Sequence, residues 1–388
     1  MKASWTIFAS LLAVVGAIPF SPKARSQDVV PAVQRRAVPA GFASTNGTQF
    51  TIDGQTQYLV GTNVYWLAFQ MNDADIDLVL DQLGASGIKV VRIWGFNDVT
   101  TIPEDPSTVW FQHLSSSGST INTGANGLQR LDYVVAGAEK RGLKLIIPFV
   151  NNWKDYGGIP AYTSAFGSGG STWFKHAPSQ AQYQAYLRAV VGRYAHSPAI
   201  FAWELGNEPR CMLCSTDDIF NWATATSALV KSLDPDHMVT LGDEGMGLTG
   251  SGWLPYWLTY GLDYWRNLQI ETIDFGTFHM YPTNWGVPLS FANSWITSHA
   301  SKCVAAGKPC FFEEYGVPSS KGHCANERPW QELAVQTEGI AGDAFWQFGT
   351  MLSTGKTSDD TFTLYHDTEE WTCLVTDHVA AVGNASKA

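Results

Sequence analysis

The chain has 388 residues and a formal net charge of −11 at pH 7, with 24 Lys and Arg residues against 35 Asp and Glu residues. A chain this acidic is not expected to bind nucleic acid or an anionic membrane by electrostatic attraction, and a neutral substrate suits it better. Its 16 Trp, 14 Tyr and 20 Phe residues also fit sugar recognition, because flat aromatic faces stack on the C–H faces of pyranose rings.

The N-terminus has the pattern of a secretory leader. Lys2 supplies a positive charge and the apolar run 5–17 ends in small residues, so residues 1–19 are predicted to be a signal peptide. The polar segment 20–36 closes on the basic pair Arg35-Arg36 and is expected to be a pro-segment. Residues 37–388 then form the mature extracellular domain, in which no stretch approaches the length of a membrane helix.

Short apolar strands alternate with helix-like stretches along the mature chain. The predicted strands are 58–66, 88–96, 143–150, 199–209, 237–245, 273–282, 308–316 and 343–349. Helical spacing covers 73–87, 128–142, 179–197, 216–235, 291–307 and 330–340. Eight strands that are apolar on both faces and separated by helices indicate an α/β protein with a single (β/α)₈ TIM barrel. A doubly wound open sheet is the alternative, but we find no glycine-rich phosphate loop after the first strand.

The six cysteines all lie in the second half of the chain. An even number in a secreted protein favours disulfides, and six cysteines allow fifteen connectivities. Short separations in sequence favour Cys211–Cys214 and Cys303–Cys310. Cys324–Cys373 then remains to hold the C-terminal region. A zinc site on Cys211 and Cys214 is the rival, but it lacks a matching second pair of ligands. Glycosylation sequons occur at Asn46 and Asn384.

Polar side chains gather at the C-terminal ends of the predicted strands. They are Asn63, Arg92, Trp94, 151–153, Asn207, Glu208, Asp243, Glu244, His279, Tyr281, Glu313, Glu314 and Trp346. Any single one could be a strand-end residue that hydrogen-bonds to nearby backbone. Because nearly all eight strands end this way, and active sites of barrel enzymes lie at this end, we predict an active site there.

Two carboxylates on different strands, in a lumen rich in Trp and Tyr, suggest glycoside hydrolysis. One carboxyl group must donate a proton to the glycosidic oxygen, and the other must be ionised to attack the sugar. Glu313 and Glu314 are expected to point to opposite faces of their strand, so only one of them can serve. We expect Arg92 to lower the pKa of the nucleophile. For Asp243 and Glu244, capping of backbone amides and contact with substrate are equally plausible.

Several motifs at successive strand ends resemble glycoside hydrolase family 5, and within it the fungal endo-β-1,4-mannanases. They include WELGNEPR (203–210), HMYP (279–282), FFEEYGV (311–317) and AFWQFG (344–349). The resemblance runs from about Phe42 to the C-terminus. This sequence departs from the family pattern at Gly206, where alanine or another small residue is common.

The resemblance implies a role for each matching residue. Glu208 would be the acid/base and Glu314 the nucleophile. Substrate-binding residues would be Arg92, Trp94, Asn207, Arg210, Glu244, His279, Tyr281, Trp285 and Trp346. Among them, Trp346 would form the floor under the sugar before the scissile bond, and Arg210 would bind on the leaving-group side. For Trp94, Trp153 and Trp285, core packing is the competing explanation.

The sequence therefore predicts a secreted retaining endo-β-1,4-mannanase that cleaves mannan, glucomannan and galactomannan. An endo-β-1,4-glucanase of the same fold is the nearest alternative, since glucose and mannose differ in the orientation of one hydroxyl. A non-catalytic carbohydrate-binding barrel is the alternative from another class, but it predicts loss of a carboxylate or of its partners. We expect no cofactor, no metal, no nucleic-acid or membrane partner, and a monomer.

Overall fold

The computed structural model describes residues 38–248 and 260–385. Eight barrel strands are numbered here in chain order: β1 (Leu59–Asn63), β2 (Val90–Arg92), β3 (Lys144–Pro148), β4 (Ile200–Glu204), β5 (Met238–Thr240), β6 (Gly276–Met280), β7 (Cys310–Tyr315) and β8 (Ile340–Phe345). The main helices are Asp73–Ala85, Leu128–Lys140, Gly158–Phe166, Ala177–Tyr194, Thr216–Leu233, Tyr264–Leu268, Phe291–Ala306, His323–Gln336 and Asp377–Ala385. The predicted leader, residues 1–36, lies outside the described residues.

The eight strands form one parallel sheet that closes on itself. Its order is β5-β4-β3-β2-β1-β8-β7-β6. The two end strands are joined by separate hydrogen bonds, from Asp274 N to Val239 O at 2.8 Å and from His279 N to Glu244 O at 3.1 Å. Thr240 Oγ1 adds a third bond across this seam, to the carbonyl of Phe275 at 3.1 Å. The predicted (β/α)₈ barrel is confirmed, and the open sheet is excluded.

Apolar side chains fill the N-terminal end of the lumen. A hairpin sheet of Ala43–Asn46, Gln49–Ile52 and Gln55–Gln57 precedes the barrel. It inserts Phe50, whose ring lies 5.0 Å from that of Phe201 and 5.2 Å from that of Phe275. Both neighbours are completely buried and belong to one cluster drawn from the starts of the barrel strands. Because this end is closed and apolar, buried polar side chains collect at the opposite, C-terminal end.

Two glycines end helices as their positions in the sequence predict. Gly307 follows the helix Phe291–Ala306 with φ of 66°, and Gly87 follows Asp73–Ala85 with φ of 84°. These left-handed conformations strain residues that carry a Cβ, which explains glycine at both helix ends. Within the described ranges, we find no helix with the length and apolar character needed to span a membrane.

One helix and one strand begin earlier than their sequence patterns predict. The helix expected at 330–340 spans His323–Gln336 and contains Pro329. The strand expected at 343–349 spans Ile340–Phe345, because Ile340 pairs with Cys310 of β7. Apolar spacing did not reveal the helix start, which lies where Cys324 is tied by a disulfide to Cys373.

Three disulfides confirm the two pairs that short separations favoured and the pair that remained: Cys211–Cys214, Cys303–Cys310 and Cys324–Cys373. The zinc alternative is wrong, since the sulfurs of Cys211 and Cys214 are bonded to each other. The third bridge spans 49 residues and joins the helix His323–Gln336 to the segment before the last helix. It therefore constrains a much longer loop than the other two.

Replacing Cys324 and Cys373 with serine is expected to lower the free energy of unfolding by about 4 kcal/mol, the loop-entropy value for 49 residues. The matched control carries Cys211→Ser and Cys214→Ser, whose separation of 3 residues gives less than about 2 kcal/mol. Guanidinium unfolding followed by Trp fluorescence measures both losses. Equal losses would contradict the loop-length explanation.

Candidate active site

A cleft of about 780 Å³ opens at the C-terminal end of the barrel. Nine of the eleven predicted site residues line it: Trp94, Asn207, Glu208, Arg210, Glu244, Tyr281, Trp285, Glu314 and Trp346. The other two, Arg92 and His279, are completely buried and hydrogen-bonded to residues of the cleft wall. The structure therefore gathers the whole predicted set at one site.

The end of β4 places Glu208 in the cleft through backbone hydrogen bonds to both neighbouring strands. Asn207 N donates to Val150 O at 2.8 Å, and Glu208 N donates to Gly242 O at 2.9 Å. Glu208 has a φ of 51°, which turns its side chain out of the strand direction. Its Oε2 accepts a bond from Trp153 Nε1 at 2.6 Å, and its Oε1 lies 2.8 Å from His279 Nδ1.

Glu314 on β7 faces Glu208 across the cleft floor. Its Oε2 accepts a hydrogen bond from the hydroxyl of Tyr281 at 2.7 Å, and its Oε1 accepts one from Arg92. His279 Nδ1 lies 3.5 Å from Glu314 Oε2, so this ring nitrogen is close to both carboxylates. One oxygen of Glu208, one of Glu314 and a ring nitrogen of His279 all lie within 4.8 Å of one another.

Arg92 is the cation at the centre of this charge cluster. Its Nε and Nη2 donate to the two oxygens of Glu204, both at 2.7 Å. Nη2 also donates to Asn207 Oδ1 at 2.7 Å, and Nη1 donates to Asn63 Oδ1 at 3.1 Å. We did not single out Glu204 from the sequence. The signal that could have identified it is a carboxylate inside an apolar strand, since a buried charge requires a buried partner.

The prediction that Glu313 and Glu314 point to opposite faces is wrong. The pairing of β6 with β7 shifts between Phe278–Phe312 and His279–Glu314, which leaves Glu313 as an extra residue in a bulge. Both glutamates therefore reach the same two partners. Glu313 Oε2 lies 3.2 Å from His279 Nε2, and Glu313 Oε1 lies 3.6 Å from Arg92 Nε.

Burial and hydrogen bonding move the pKa values of the two facing carboxyl groups in opposite directions. Burial raises the pKa of Glu208, but the bond and charge of His279, with Arg210 and Trp153, reverse this and lower it. Burial raises the pKa of Glu314 and outweighs His279 and Arg92, so the expected net lowering by Arg92 is not found. Burial opposes protonation of His279, but Glu314, Glu208 and Glu313 raise its pKa well above the usual value. Both shifts favour a proton on His279 over a proton on Glu208.

The half-buried Arg210 and the buried Glu244 form an ion pair in one wall of the cleft. Both bonds from the guanidinium to the carboxylate measure 2.5 Å. The guanidinium also lies 4.8 Å from the ring centre of Trp153 and 4.5 Å from that of Tyr260. Of the two acidic residues in this loop, Asp243 instead accepts a bond from a backbone amide, that of Gly245, at 2.7 Å. Sequence reasoning missed Tyr260, which lies outside the predicted strands.

The aromatic residues of the opposite wall divide between cleft and core. Trp346 stacks on Tyr65 with ring centres 5.3 Å apart and planes 6° apart, and its Nε1 donates to Asp360 at 2.8 Å. Trp94 is 4% exposed and packs on Phe96, so it serves both the core and the cleft lining. Tyr65 was missed because it belonged to the apolar run predicted as strand 58–66, and Asp360 because it lies in a loop that no periodic pattern marks.

Trp153 and Trp285 occupy different positions in the cleft. Trp153 is 42% exposed and lines the cleft, with the guanidinium of Arg210 over its ring. Trp285 lines the cleft and also packs edge-on against Trp295, with ring centres 5.4 Å apart. The donor atoms of Glu208, His279 and Glu314 have the spacing of metal ligands, but each already contacts a protein group of this site.

Comparison with known proteins identifies the family to which this site belongs. The model described as GH family 5 beta-mannosidase-like matches residues 40–372. The chain is 55% identical over 345 residues to mannan endo-1,4-beta-mannosidase A of Podospora anserina, covering 88% of this chain and 92% of that protein. It is 54% identical over 349 residues to the protein of the same name from Hypocrea jecorina, covering 89% and 79%.

Solved structures agree with the sequence relatives. The endo-1,4-beta-mannanase of Rhizomucor miehei matches with a TM-score of 0.81 at 32% identity, over 88% of this chain and 99% of that chain. The endo-beta-1,4-mannanase of Thermotoga petrophila matches with a TM-score of 0.78 at 32% identity, over 86% and 78%. Together with the family model, these matches show that this chain is an enzyme of glycoside hydrolase family 5 and belongs to its beta-mannosidase-like group.

Proposed function

We propose that this enzyme is a retaining endo-β-1,4-mannanase that hydrolyses internal bonds of mannan, glucomannan and galactomannan. The spacing of Glu208 and Glu314 carries the proposal, because oxygens of the two carboxylates lie within 4.8 Å of each other. Retaining glycosidases hold their carboxyl groups about 5–5.5 Å apart, whereas inverting enzymes leave about 6.5–9.5 Å for a water molecule. The short separation supports double displacement.

In the first step, Glu314 attacks the anomeric carbon while the leaving glycosidic oxygen takes a proton from Glu208. The bond from the anomeric carbon to the leaving oxygen breaks as the ester bond to Glu314 forms. Arg92 and Tyr281 both donate to the oxygens of Glu314, which orients the attacking atom toward the cleft. That proton reaches Glu208 from His279, whose Nδ1 lies 2.8 Å away, and Glu208 is left as a carboxylate once it has passed the proton on.

In the second step, Glu208 acts as a base toward water, which attacks the same carbon and releases Glu314. The ester has no negative charge, and His279 Nδ1 lies 3.5 Å from this carboxyl group. Loss of that charge weakens proton binding by His279 and Glu208 together, which favours the base form when it is needed. Two inversions at one carbon give a product with the original β configuration.

The walls of the cleft supply the remaining roles. We assign Trp346 to the floor beneath the sugar before the scissile bond, and Arg210, held by Glu244, to the leaving-group side. Asn207 would bond to the 2-hydroxyl, since it lines the cleft beside Glu208. The mannan specificity is supported by the two fungal relatives, both named mannan endo-1,4-beta-mannosidase A.

Reducing-sugar release from locust bean gum is expected to exceed release from carboxymethylcellulose by at least about tenfold, the range that one altered substrate group gives. Both polymers are assayed at equal mass concentration with the same enzyme preparation. A clear preference for carboxymethylcellulose would favour the endo-β-1,4-glucanase instead.

Proton NMR of the first-formed products should show the β anomer, and an initial α anomer would refute the retaining mechanism.

We further propose that the enzyme is secreted as a monomer after removal of residues 1–19 and then of 20–36. The described residues from 38 onward belong to one compact unit, which supports maturation near residue 37. Asn46 lies exposed in the N-terminal hairpin and is a candidate glycan site, while the sequon at Asn384 extends beyond the described residues. N-terminal sequencing of secreted protein should begin at Ala37, and a start within the barrel would contradict this processing.

A further inference from the structure

His279 is held between carboxylates on both edges of its ring. Nδ1 lies 2.8 Å from Glu208 Oε1 and 3.5 Å from Glu314 Oε2, while Nε2 lies 3.2 Å from Glu313 Oε2. The imidazole is completely buried. A neutral imidazole has one N–H and one lone pair, so it can donate to only one of these edges. The other edge then requires either a protonated carboxyl group or a second proton on the ring.

The charges of the site favour retention of a proton. Four buried carboxylates, Glu204, Glu208, Glu313 and Glu314, surround the two basic side chains of Arg92 and His279. If His279 were neutral, four negative charges would face a single guanidinium in a buried site. Such an excess is costly, and it is relieved when a proton is kept within the cluster.

We propose that Glu313 is a positioning residue that acts through His279 to keep the catalytic proton available to Glu208. This inference rests on the proposed role of Glu208 as acid/base. Glu313 fixes one proton on Nε2 of the ring, so Nδ1 is the nitrogen that exchanges the second proton with Glu208. In the first step that proton passes through Glu208 to the glycosidic oxygen. In the second step one proton from water returns through Glu208 to His279.

The position of Glu313 fits this role and not that of a substrate ligand. Glu313 is completely buried, whereas its neighbour Glu314 lines the cleft. Phe311, two residues before it, packs in the lumen against Phe50 and Phe201, so strand alternation points Glu313 inward, and the bulge brings Glu314 to the same side. A purely structural role beside Arg92 is the weaker explanation, because Glu204 already makes two bonds of 2.7 Å to that guanidinium.

Other charged groups also face His279 and must be considered in any pH dependence. The acidic groups are Glu204 and Glu208 at the end of β4, Asp243 and Glu244 in the loop after β5, and Glu313 and Glu314 on β7. The basic group is Arg92 on β2. His299, on the covering helix, bonds to the carbonyls of Trp295 and Gly245, and burial lowers its pKa to about 4. Among the carboxylates, Glu313 alone contacts Nε2 in the described residues.

Glu313→Gln tests the proposal through the pH profile of hydrolysis. The raised pKa of His279 keeps the ring charged as pH rises, and loss of the Glu313 charge lowers that pKa. We therefore expect the alkaline side of the kcat/KM profile to move down by about one pH unit or more. KM should change little, because Glu313 does not reach the cleft.

Two further variants separate charge from packing. Glu313→Asp keeps the negative charge, so its alkaline side should move less than that of Glu313→Gln. Glu327→Gln is the matched control, since Glu327 is another buried carboxyl group, bonded to Val317 N at 2.9 Å, whereas His279 bonds to Glu208 and Glu313. Burial raises its pKa to about 8, so this change removes little charge below that pH and should leave the alkaline side in place.

The protonation of His279 can also be observed without any activity. In ¹⁵N-histidine-labelled wild-type protein, the signals absent from His279→Gln identify this ring, and they should show the doubly protonated form at pH 6. In Glu313→Gln the ring should lose its second proton at lower pH. The proposal would be overturned if His279 were neutral in the wild type at pH 6. It would also be overturned if Glu313→Gln lowered activity uniformly and left the alkaline side of the kcat/KM profile in place. If the enzyme did not hydrolyse mannan, only the substrate assignment would be refuted, because the pH profile of kcat/KM can be measured on whichever glycan is cleaved.

Discussion

Replacing Glu314 with alanine is expected to lower kcat by about 10⁴-fold or more, the size of loss seen when a covalent nucleophile is removed. Arg92 and Tyr281 hold both oxygens of Glu314 while the carboxylate lines the cleft. Glu313 beside it is enclosed and contacts His279, so it is not placed to form the ester instead. Initial rates on mannan and on an aryl β-mannobioside with a good leaving group measure the loss.

Glu208→Ala is the informative comparison for this variant. It should lose about 10²–10⁴-fold on mannan, where the leaving oxygen needs a proton. On the aryl substrate its first step should stay fast, because a phenolate leaves without protonation, whereas Glu314→Ala should be inactive on both. Glu332→Ala, an exposed carboxylate paired with Arg328, is the control and should retain wild-type rates. The same loss on both substrates for both variants would contradict the assigned roles.

Replacing Arg92 with methionine is expected to lower the free energy of unfolding by about 3–5 kcal/mol, the cost of leaving a buried charge unpaired. Arg92 is completely buried, and Glu204 beside it is completely buried as well. The guanidinium also donates to Asn63 and Asn207, whose oxygens lose these bonds in the variant. Chemical unfolding at pH 7 measures the loss.

Two controls show whether charge is the cause. Adding Glu204→Gln to Arg92→Met should recover part of the stability, with a coupling of at least about 1 kcal/mol. The loss should also be smaller at pH 4, because burial raises the pKa of Glu204 to about 7 even beside Arg92, and without that cation the carboxyl group is more readily neutral. Strictly additive effects and a loss independent of pH would point to packing instead.

The sequence was sufficient for the architecture because the barrel depends on repeated local patterns. Apolar runs of strand length and helical spacing between them gave all eight strands in the correct order. The strand-end polar residues converged as expected, since parallel strands bring their C-terminal ends together. The extents of the last units were less accurate, because the helix His323–Gln336 begins beside a disulfide and continues through Pro329.

The details of the site depended on features without a local pattern. A single extra residue in β7 places Glu313 and Glu314 on the same side instead of on opposite faces, and strand alternation alone cannot reveal such a bulge. Glu204 was hidden within an apolar run, although a buried carboxylate in that position demands a cation such as Arg92. Tyr65 and Tyr260 reach the cleft from loops, where the partners of a side chain are set by the fold and not by spacing.

Covalent trapping of the glycosyl-enzyme tests the central claim most directly. In a 2-deoxy-2-fluoro-β-mannobiosyl fluoride, the 2-fluoro group slows both steps because it destabilises the charged sugar transition states, and the fluoride leaving group keeps formation of the ester faster than its hydrolysis. After incubation with wild-type enzyme and digestion with a protease, tandem mass spectrometry should find the added sugar on Glu314 in the peptide that contains FFEEYGV. A label on Glu313, Glu208 or Glu204, or complete turnover without a covalent adduct, would contradict the assignment of Glu314 as the nucleophile of a retaining mannanase.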